Sequence, residues 1–359
     1  MVGLRMRYRA GTVLALALAV WAATAGAAAG PAAVPAVERG RWLMGTLCTI
    51  SAEAPDTAQT AKAIDVAFGA IARLEKVMSG WRDDSELARL NSRTGGEEFP
   101  CSPDLFAALV AARDLAAETG GAFDPTVEPF IRAWDLRGEG RVPTAAELDK
   151  ARDVVGYLGL QLDRARRIAS FARTGMAVDL GGIGKGIALD RAAEALRAGG
   201  VRRALLNFGG EILAAGEGEP RELAVADPAD RLRPAVLLKL APGALSTSAQ
   251  SERGFERDGV RYGHVLDPRS GQPVATRASV SVVAASSARA DALATALLVM
   301  GRQTAAAWAM EHRDVGVLWL EPAGEGVRAW TWNLEGVTAA PGARVEWMRA
   351  PTTSRGGVR

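Results

Sequence analysis

Two periodicities run along the chain, one near 3.6 residues and one near 2, and the change from the first to the second divides it. From Thr57 to Met78 (TAQTAKAIDVAFGAIARLEKVM) apolar positions recur every three or four residues, which predicts a helix with one buried face. Pro103 to Thr119 repeats the pattern, opening on a proline and closing on Gly120-Gly121. Between them SGWRDDSELARLN offers Asp84 or Ser85 as the cap of a short helix. GAFDPTVEPFIRAWDLRG and PTAAELDKARDVVGYLG read as a helical insert. There Asp124-Pro125-Thr126 is a turn that opens a helix, with Asp124 as cap and Phe123 and Trp134 as core. Ahead of all these, RGRWLMGTLCTISAEA alternates as one strand centred on Met44-Gly45-Thr46. From about residue 158 short alternating runs dominate: GLQLD, RIASF, RALLNFGG, EILAAG, ELAVAD, AVLLKL, GALSTS, YGHVLDP, SVSVVAA, VGVLWLE and VRAWTWN. Helices near 183–198 and 288–310 interrupt them. The expected class is α+β, with a helix-rich N-terminal half and a strand-rich C-terminal half.

The first residues change where this fold is expected to work. Arg5, Arg7 and Arg9 precede an apolar stretch from Thr12 to Ala25, and Ala23-Thr24-Ala25 or Ala25-Gly26-Ala27 suits a signal peptidase. A signal peptide over 1–27 is expected, then a flexible lead over 28–36, one domain over 37–350 and a disordered tail over 351–359. The protein is thus expected to be exported and periplasmic, soluble or loosely associated with the inner membrane. No cysteine near the cleavage region offers a lipid attachment point, and the absence of adjacent arginines points to general secretion. Cleavage removes those three arginines and takes the formal charge from +2 to −1, which leaves no electrostatic footprint for nucleic acid. Cys48 and Cys101 could pair after export or remain two core thiols. With only two histidines, His264 and His312, a multi-histidine metal site is excluded, and any metal would be held by oxygen.

Four segments carry candidate chemistry. AVDLGGIGKGIALD (177–190) places Asp179 ahead of Gly181, Gly182, Gly184, Lys185 and Gly186 at the start of a helix. Such a run lets backbone N–H groups approach an anion, with a lysine and a helix N-terminus behind them; the alternative is a tight strand-to-helix turn with a solvated lysine. It is neither a Walker A loop, which needs glycine at 179 and Ser or Thr at 186, nor the dinucleotide fingerprint, which needs glycine where Ile187 stands. In SVSVVAASSARADALATALLVMG, Asp291 and Thr295 lie one helical turn apart among alanines, including Ala294, after a Ser286/Ser287 cap. A poorly solvated carboxylate with a hydroxyl beside it suits a hard cation such as Mg²⁺; the alternative is an acid favoured by the helix dipole. In GVRYGHVLDPRSGQPV a strand carries His264 into the Asp267-Pro268 turn, beside the polar ALSTSAQSERGF segment. His264 could be a packing residue, a phosphate contact or an acid/base group. No G-x-S-x-G elbow supports a serine hydrolase. Finally Trp81, after Met78-Ser79-Gly80, could be core or a stacking surface for a flat ring.

Taken in order, these segments resemble the ApbE family of periplasmic FAD:protein FMN transferases. The shared motifs are MGT (Met44 to Thr46), MSxW–SELxxLN (Met78 to Asn91), GAFDPT (Gly121 to Thr126), DLGGIGKG (Asp179 to Gly186), then NFGGEI, STS, HVLDPRSG and ADALATA. The resemblance runs from about Arg41 to Met300 and implies a single flavin transferase unit related to the T-fold. Mg²⁺ would be bound by the Gly184 carbonyl, Asp291 and Thr295, with Ala294 nearby. FAD, the substrate, would lie against Met44, Trp81, Ala122, Phe123, Asp124, Asp179, Gly181, Lys185, Ile187 and Val265. The implied reaction is attack by a Thr or Ser hydroxyl of a partner flavoprotein on the FMN-side phosphorus of FAD, releasing AMP. Candidate proton acceptors are His264 and then Asp267. The acceptor protein would be a respiratory membrane or periplasmic flavoprotein. Hydrolysis of FAD to FMN and AMP, or flavin binding without turnover, are the alternatives. The chain departs from the family pattern at Ala249, Ser251, Gly263 and Ile187, where glycine, tyrosine, serine and tyrosine are common, and at Gly184, where alanine is.

Overall fold

A computed structural model describes residues 36–348. The expected signal peptide, the tail, and the lead except Ala36 lie outside these residues. Ala36 itself already belongs to a strand. The first half carries β1 (Ala36–Leu43), β2 (Thr46–Glu53), α1 (Thr57–Met78), α2 (Glu86–Asn91), β3 (Phe99–Pro100), α3 (Pro103–Glu118), α4 (Glu128–Ala133), α5 (Ala145–Arg152), β4 (Leu160–Asp163) and β5 (Ile168–Phe171). Then come α6 (Gly184–Ala198), β6 (Arg203–Phe208), β7 (Glu211–Gly216), β8 (Arg221–Asp227), β9 (Asp230–Leu240), β10 (Gly243–Ala249), β11 (Gly254–Arg257), β12 (Val260–Gly263) and β13 (Ser279–Ala284). The chain continues through α7 (Ser287–Met300), α8 (Arg302–Glu311), β14 (Gly316–Ala323), β15 (Gly326–Trp332), β16 (Thr338–Ala339) and β17 (Val345–Trp347).

The architecture is α+β, built on a nine-stranded sheet in the order β1-β2-β6-β7-β10-β13-β14-β15-β17. All its pairings are antiparallel except β15 with β17. Both faces of the inner strands are apolar, because each face has its own cover. Along β10 and β14, Ala244, Val317 and Trp319 join the large core under α1, α3, α6 and α7, while Leu245, Leu318 and Leu320 point the other way. On that second face they meet Leu223, Val225, Val236 and Leu238 of the three-stranded sheet β16-β9-β8. Period-2 alternation thus feeds two cores from one sheet. Among the described residues no helix is long and apolar enough to cross a membrane.

Several local expectations change. The run around Met44 is a hairpin, not one strand: Met44 (φ 44°) and Gly45 (φ 75°) take the two left-handed positions of a tight turn, and β1 folds back on β2. The helix expected over 288–310 is two, broken at Gly301 (φ 76°). Ser85 caps α2 through the Ala88 N–H, and Ser286 caps α7 through Arg289. Asp124 caps nothing. Helix α4 starts at Glu128, after Val127, and the Asp124 carboxylate accepts from the Thr126 N–H and hydroxyl and from the Tyr157 N–H instead. Phe123 and Trp134 are buried as expected, whereas Trp81 is 63% exposed. Cys48 and Cys101 are both free and buried, and burial pushes their thiols up to about 12 and about 11.

Helices α6 and α7 cross at unusually close range. A Cβ at Gly186 would stand 2.3 Å from the Ser287 carbonyl oxygen, so only glycine admits the approach. Asp190, one turn along α6, accepts from the Ser287 and Ala288 N–H groups at 2.8 and 2.9 Å and so caps α7 from the neighbouring helix. Gly184, two residues earlier, has nothing within 4 Å of the same construction. Gly186→Ala is therefore expected to lower stability by about 1–3 kcal/mol, as overpacking does. Gly184→Ala should be neutral or mildly stabilising in the same urea titration. Equal midpoints for the two variants would show that the crossing does not depend on Gly186.

Candidate active site

Strand periodicity and the α6–α7 crossing together bring a charged cluster under the sheet. Glu211 opens β7 directly after the Gly209-Gly210 turn (φ 64° and 100°), on the same face as Leu213, and so points at α6. Lys185, in the first turn of α6, donates to Glu211 Oε1 at 2.8 Å and lies 3.6 Å from Asp291 Oδ1 on α7. Asp291 Oδ2 accepts from the Gly186 N–H at 3.1 Å. Both carboxylates are buried, Glu211 to 4% and Asp291 to 3% exposure, and Glu211 Oε2 has no partner. Lys185 thus stands between two acids rather than as the solvated lysine that the sequence left as an alternative. Burial works against its charge, but Asp291 and Glu211 outweigh this and hold it well above the ordinary lysine value. Burial, reinforced by the Asp291 charge, pushes Glu211 up to about 8.

Hydroxyls complete this end. Thr295 lies one turn after Asp291, its Oγ1 3.4 Å from the Asp291 carbonyl and 3.3 Å from Ser248 Oγ. Ser248 reaches it because Ala244, Ser246 and Ser248 share the helix-facing side of β10. Ala294 is fully buried and offers no side-chain donor. The Gly184 carbonyl belongs to the open first turn of α6. Among the described residues no group of three or more His, Cys, Asp or Glu side chains has metal-site geometry. Any cation here would draw on hydroxyl and carbonyl oxygens as well as Asp291.

The glycine loop links this cluster to a second one. A Cβ at Gly182 would touch the Phe123 ring at 3.3 Å and Thr295 Oγ1 at 3.4 Å, so Phe123 and Thr295 flank the loop. Asp179 accepts from the Gly181 N–H at 2.7 Å and from Arg137 at 2.5 Å. Arg137 also pairs with buried Glu128 and lies 5.9 Å from the centre of the exposed Trp81 ring. Asn91 fixes the irregular segment leading into the loop, its amide exchanging two 2.8 Å hydrogen bonds with the Val178 backbone. Ala122, Phe123 and Asp124 form the adjoining wall, all buried, and burial raises Asp124. Ile187 packs partly buried on the core at the start of α6. Met44 sits on the β1–β2 turn with its N–H on Glu75, next to Thr46, which touches the Gly209 turn.

His264 lies outside any strand, because β12 ends at Gly263. The Val265 N–H, which a continuing strand would pair, is taken by the Gln250 side chain at 3.0 Å. The His264 ring is half-buried and its Nδ1 is enclosed without a hydrogen-bond partner. Burial, with the charges of Arg253, Lys185 and Arg231 adding to it against a smaller opposing contribution from the Arg253 backbone, lowers the imidazole to about 4. Val265 is buried beside it. Asp267 is engaged elsewhere: its oxygens accept from the Arg269 N–H and guanidinium at 2.8–2.9 Å. Burial raises its carboxyl, but those bonds outweigh it and Asp267 ends below the ordinary range. A carboxylate so held makes a poor proton acceptor. Glu252, raised by burial, is electrostatically coupled to Lys185 and Asp291 and joins the acidic side of the cluster.

Glu211, Ser248 and Arg137 are parts of the site that local pattern does not single out. Glu211 and Ser248 are legible once β7 and β10 are phased on Leu213 and Ala244. Arg137 has no local signal at all, since Asp179 is 42 residues away.

Known proteins resemble this chain over most of its length. The ApbE family profile matches residues 44–319. The FAD:protein FMN transferase of Treponema pallidum is 33% identical over 318 residues, covering 83% of this chain and 88% of the relative. That of Vibrio cholerae is 35% identical over 260 residues, covering 70% and 77%. The crystal structure of the ApbE protein from Thermotoga maritima superposes with a TM-score of 0.72 at 28% identity, covering 79% of this chain and 94% of that one. With motifs, fold and relatives in agreement over most of its length, the chain belongs to the ApbE family.

Proposed function

We propose that this enzyme transfers the FMN part of FAD to a Thr or Ser hydroxyl of an acceptor flavoprotein and releases AMP. Relatives named for flavin transfer support the reaction type. The observation that carries the finer reading is the oxygen-lined cluster of Asp291, Thr295 and Ser248 beside the open start of α6. The residues fit a hard divalent cation: two buried acids face one ammonium, and Glu211 Oε2 lacks any partner. Asp291, Thr295 and the Gly184 carbonyl would hold Mg²⁺, which supplies charge neutralisation at the pyrophosphate when bound.

The chain's own groups do the rest. The exposed Trp81 face and Arg137 beneath it, tied down by Glu128 and Asp179, offer a stacking surface for a flat ring at the far end of the loop. Gly181, Gly182 and Gly184 allow the pyrophosphate to approach the backbone. The acceptor hydroxyl forms a bond to the FMN-side phosphorus, the phosphoanhydride bond to AMP breaks, and the hydroxyl proton passes to the neutral imidazole of His264. The basic-then-apolar start of the chain supports export, which would place both enzyme and acceptor in the periplasm.

Mature protein incubated with FAD, Mg²⁺ and a threonine-bearing acceptor peptide is expected to release AMP and add an FMN mass to the peptide. AMP with free FMN and an unlabelled peptide would instead identify a hydrolase. Asp291→Ala should slow transfer by about 10²-fold or more, in line with loss of an electrostatic stabiliser, and should remove its dependence on Mg²⁺; persistence of that dependence would place the cation elsewhere. Because the proton acceptor must be neutral, activity is lost as pH falls through the folded value of His264. The acid limb of kcat/KM should lie near pH 4 rather than at the ordinary value near 6.5, and should vanish in His264→Asn. A limb at 6.5 would assign it to another group.

A further inference from the structure

We propose that Gln250 is the positioning residue for His264, an inference that rests on His264 being the proton acceptor. A histidine that moves a proton is ordinarily oriented by a second group on its other ring nitrogen. Here Nδ1 is enclosed and unpartnered, and Asp267, the nearest carboxylate in sequence, is engaged by Arg269. Beyond the Arg253 backbone beside the imidazole, the direction of the ring depends on how the main chain on either side of it is held.

That main chain is held by one buried amide. Gln250, immediately after β10, is 7% exposed. Its Oε1 accepts from the Val265 N–H at 3.0 Å, and its Nε2 donates to the Val265 carbonyl at 2.7 Å and the Val274 carbonyl at 2.9 Å. Both amide hydrogens and the oxygen are thus satisfied inside the protein. The residue before His264 is shaped to the same amide: a Cβ on Gly263 would stand 2.0 Å from Gln250 Oε1. His264 is flanked on one side by a residue that Gln250 bonds and on the other by a residue whose bareness makes room for it.

The segment between Gln250 and Val265 leaves the sheet as the β11–β12 hairpin. Near its base Phe255 and Tyr262 face each other across the two strands, stacked 5.2 Å apart, with Tyr262 5.3 Å from Trp134. Gln250 closes the base, where the chain departs and returns. Without it the segment after His264 keeps the Val274 N–H bond to the Val265 carbonyl and the Asp267 N–H bond to the Gln272 carbonyl, and the His264 backbone is free to swing about the first of these.

The test uses the fact that the chain has two histidines. In histidine-labelled protein the ring of His312, stacked on Trp308 at 3.7 Å, is an internal reference. Gln250→Ala is expected to shift the His264 resonance and leave that of His312 in place. It should also lower kcat by roughly 10- to 100-fold, the scale of an ångström of misplacement, with little change in FAD affinity. Gly263→Ala should do the same alone. Added to Gln250→Ala it should cost little more, because the atom it collides with is gone. Gln250→Met keeps the side-chain bulk without the hydrogen bonds, and serves if the alanine variant does not fold. An unmoved His264 resonance with unchanged kcat in the folded Gln250 variant, or fully additive effects of the two substitutions, overturns the proposal. If His264→Asn keeps full activity while Gln250→Ala still moves the His264 resonance, the reading of His264 as proton acceptor fails and the placement by Gln250 stands.

Discussion

Everything at the centre of this protein depends on how closely α6 can approach α7. Gly186 lets the backbones touch, and Asp190 fixes the register by taking the first free N–H groups of α7. With that register set, Lys185 falls beside Asp291, Thr295 falls beside the glycine loop, and the first turn of α6 stays open. A larger residue at 186 would part the helices and pull Lys185 from one of its acids. The glycines of the loop are therefore not equivalent. Gly186 serves packing, whereas Gly184 leaves space that the protein itself does not fill.

The buried charges impose a second constraint. Glu211 and Asp291 are both desolvated and share a single ammonium, an arrangement that costs stability unless another positive charge arrives. The cost shows in Glu211, driven toward its neutral form. A fold selected for stability alone would place leucine here. Retaining the acids makes sense if a cation comes to share them, as the proposed Mg²⁺ would.

Much of this was legible in the sequence, and the rest was not for identifiable reasons. Helix α1 has the bounds its periodicity predicts, since a long amphipathic run with a capping Asp56 leaves little freedom. Asp291 and Thr295 could be paired by spacing alone, because a helix fixes which residues share a face. The run through Met44 misled because alternation is the same in one long strand and in a hairpin; the turn lies in the backbone angles of Met44 and Gly45, and the pair Met-Gly is a weak turn signal. Asp124 looked like a helix cap because Asp-Pro often is one, yet its partners include Tyr157, 33 residues on, which no local rule can find. The two acids around Lys185 come from β7 and α7, far away in sequence, so no local pattern announces the pairing.

Asn91 and Gln250 share a physical logic that explains why the chemistry sits where it does. Loops that carry reactive groups cannot use a strand ladder without flattening their side chains into alternation, yet buried N–H and C=O groups left unpaired would be costly. A side-chain amide solves both problems, since it presents one acceptor and two donors with the spacing of a peptide group. Asn91 does this for Val178, one residue before Asp179, and Gln250 does it for Val265, one residue after His264. In each case the amide pairs the backbone of a single residue outside any strand, and the residue beside it, Asp179 after Val178 and His264 before Val265, stays clear of a ladder. The two segments that leave regular structure in this way are the glycine loop and the histidine turn. They can be irregular and still well placed because a residue from another part of the chain holds each at one point.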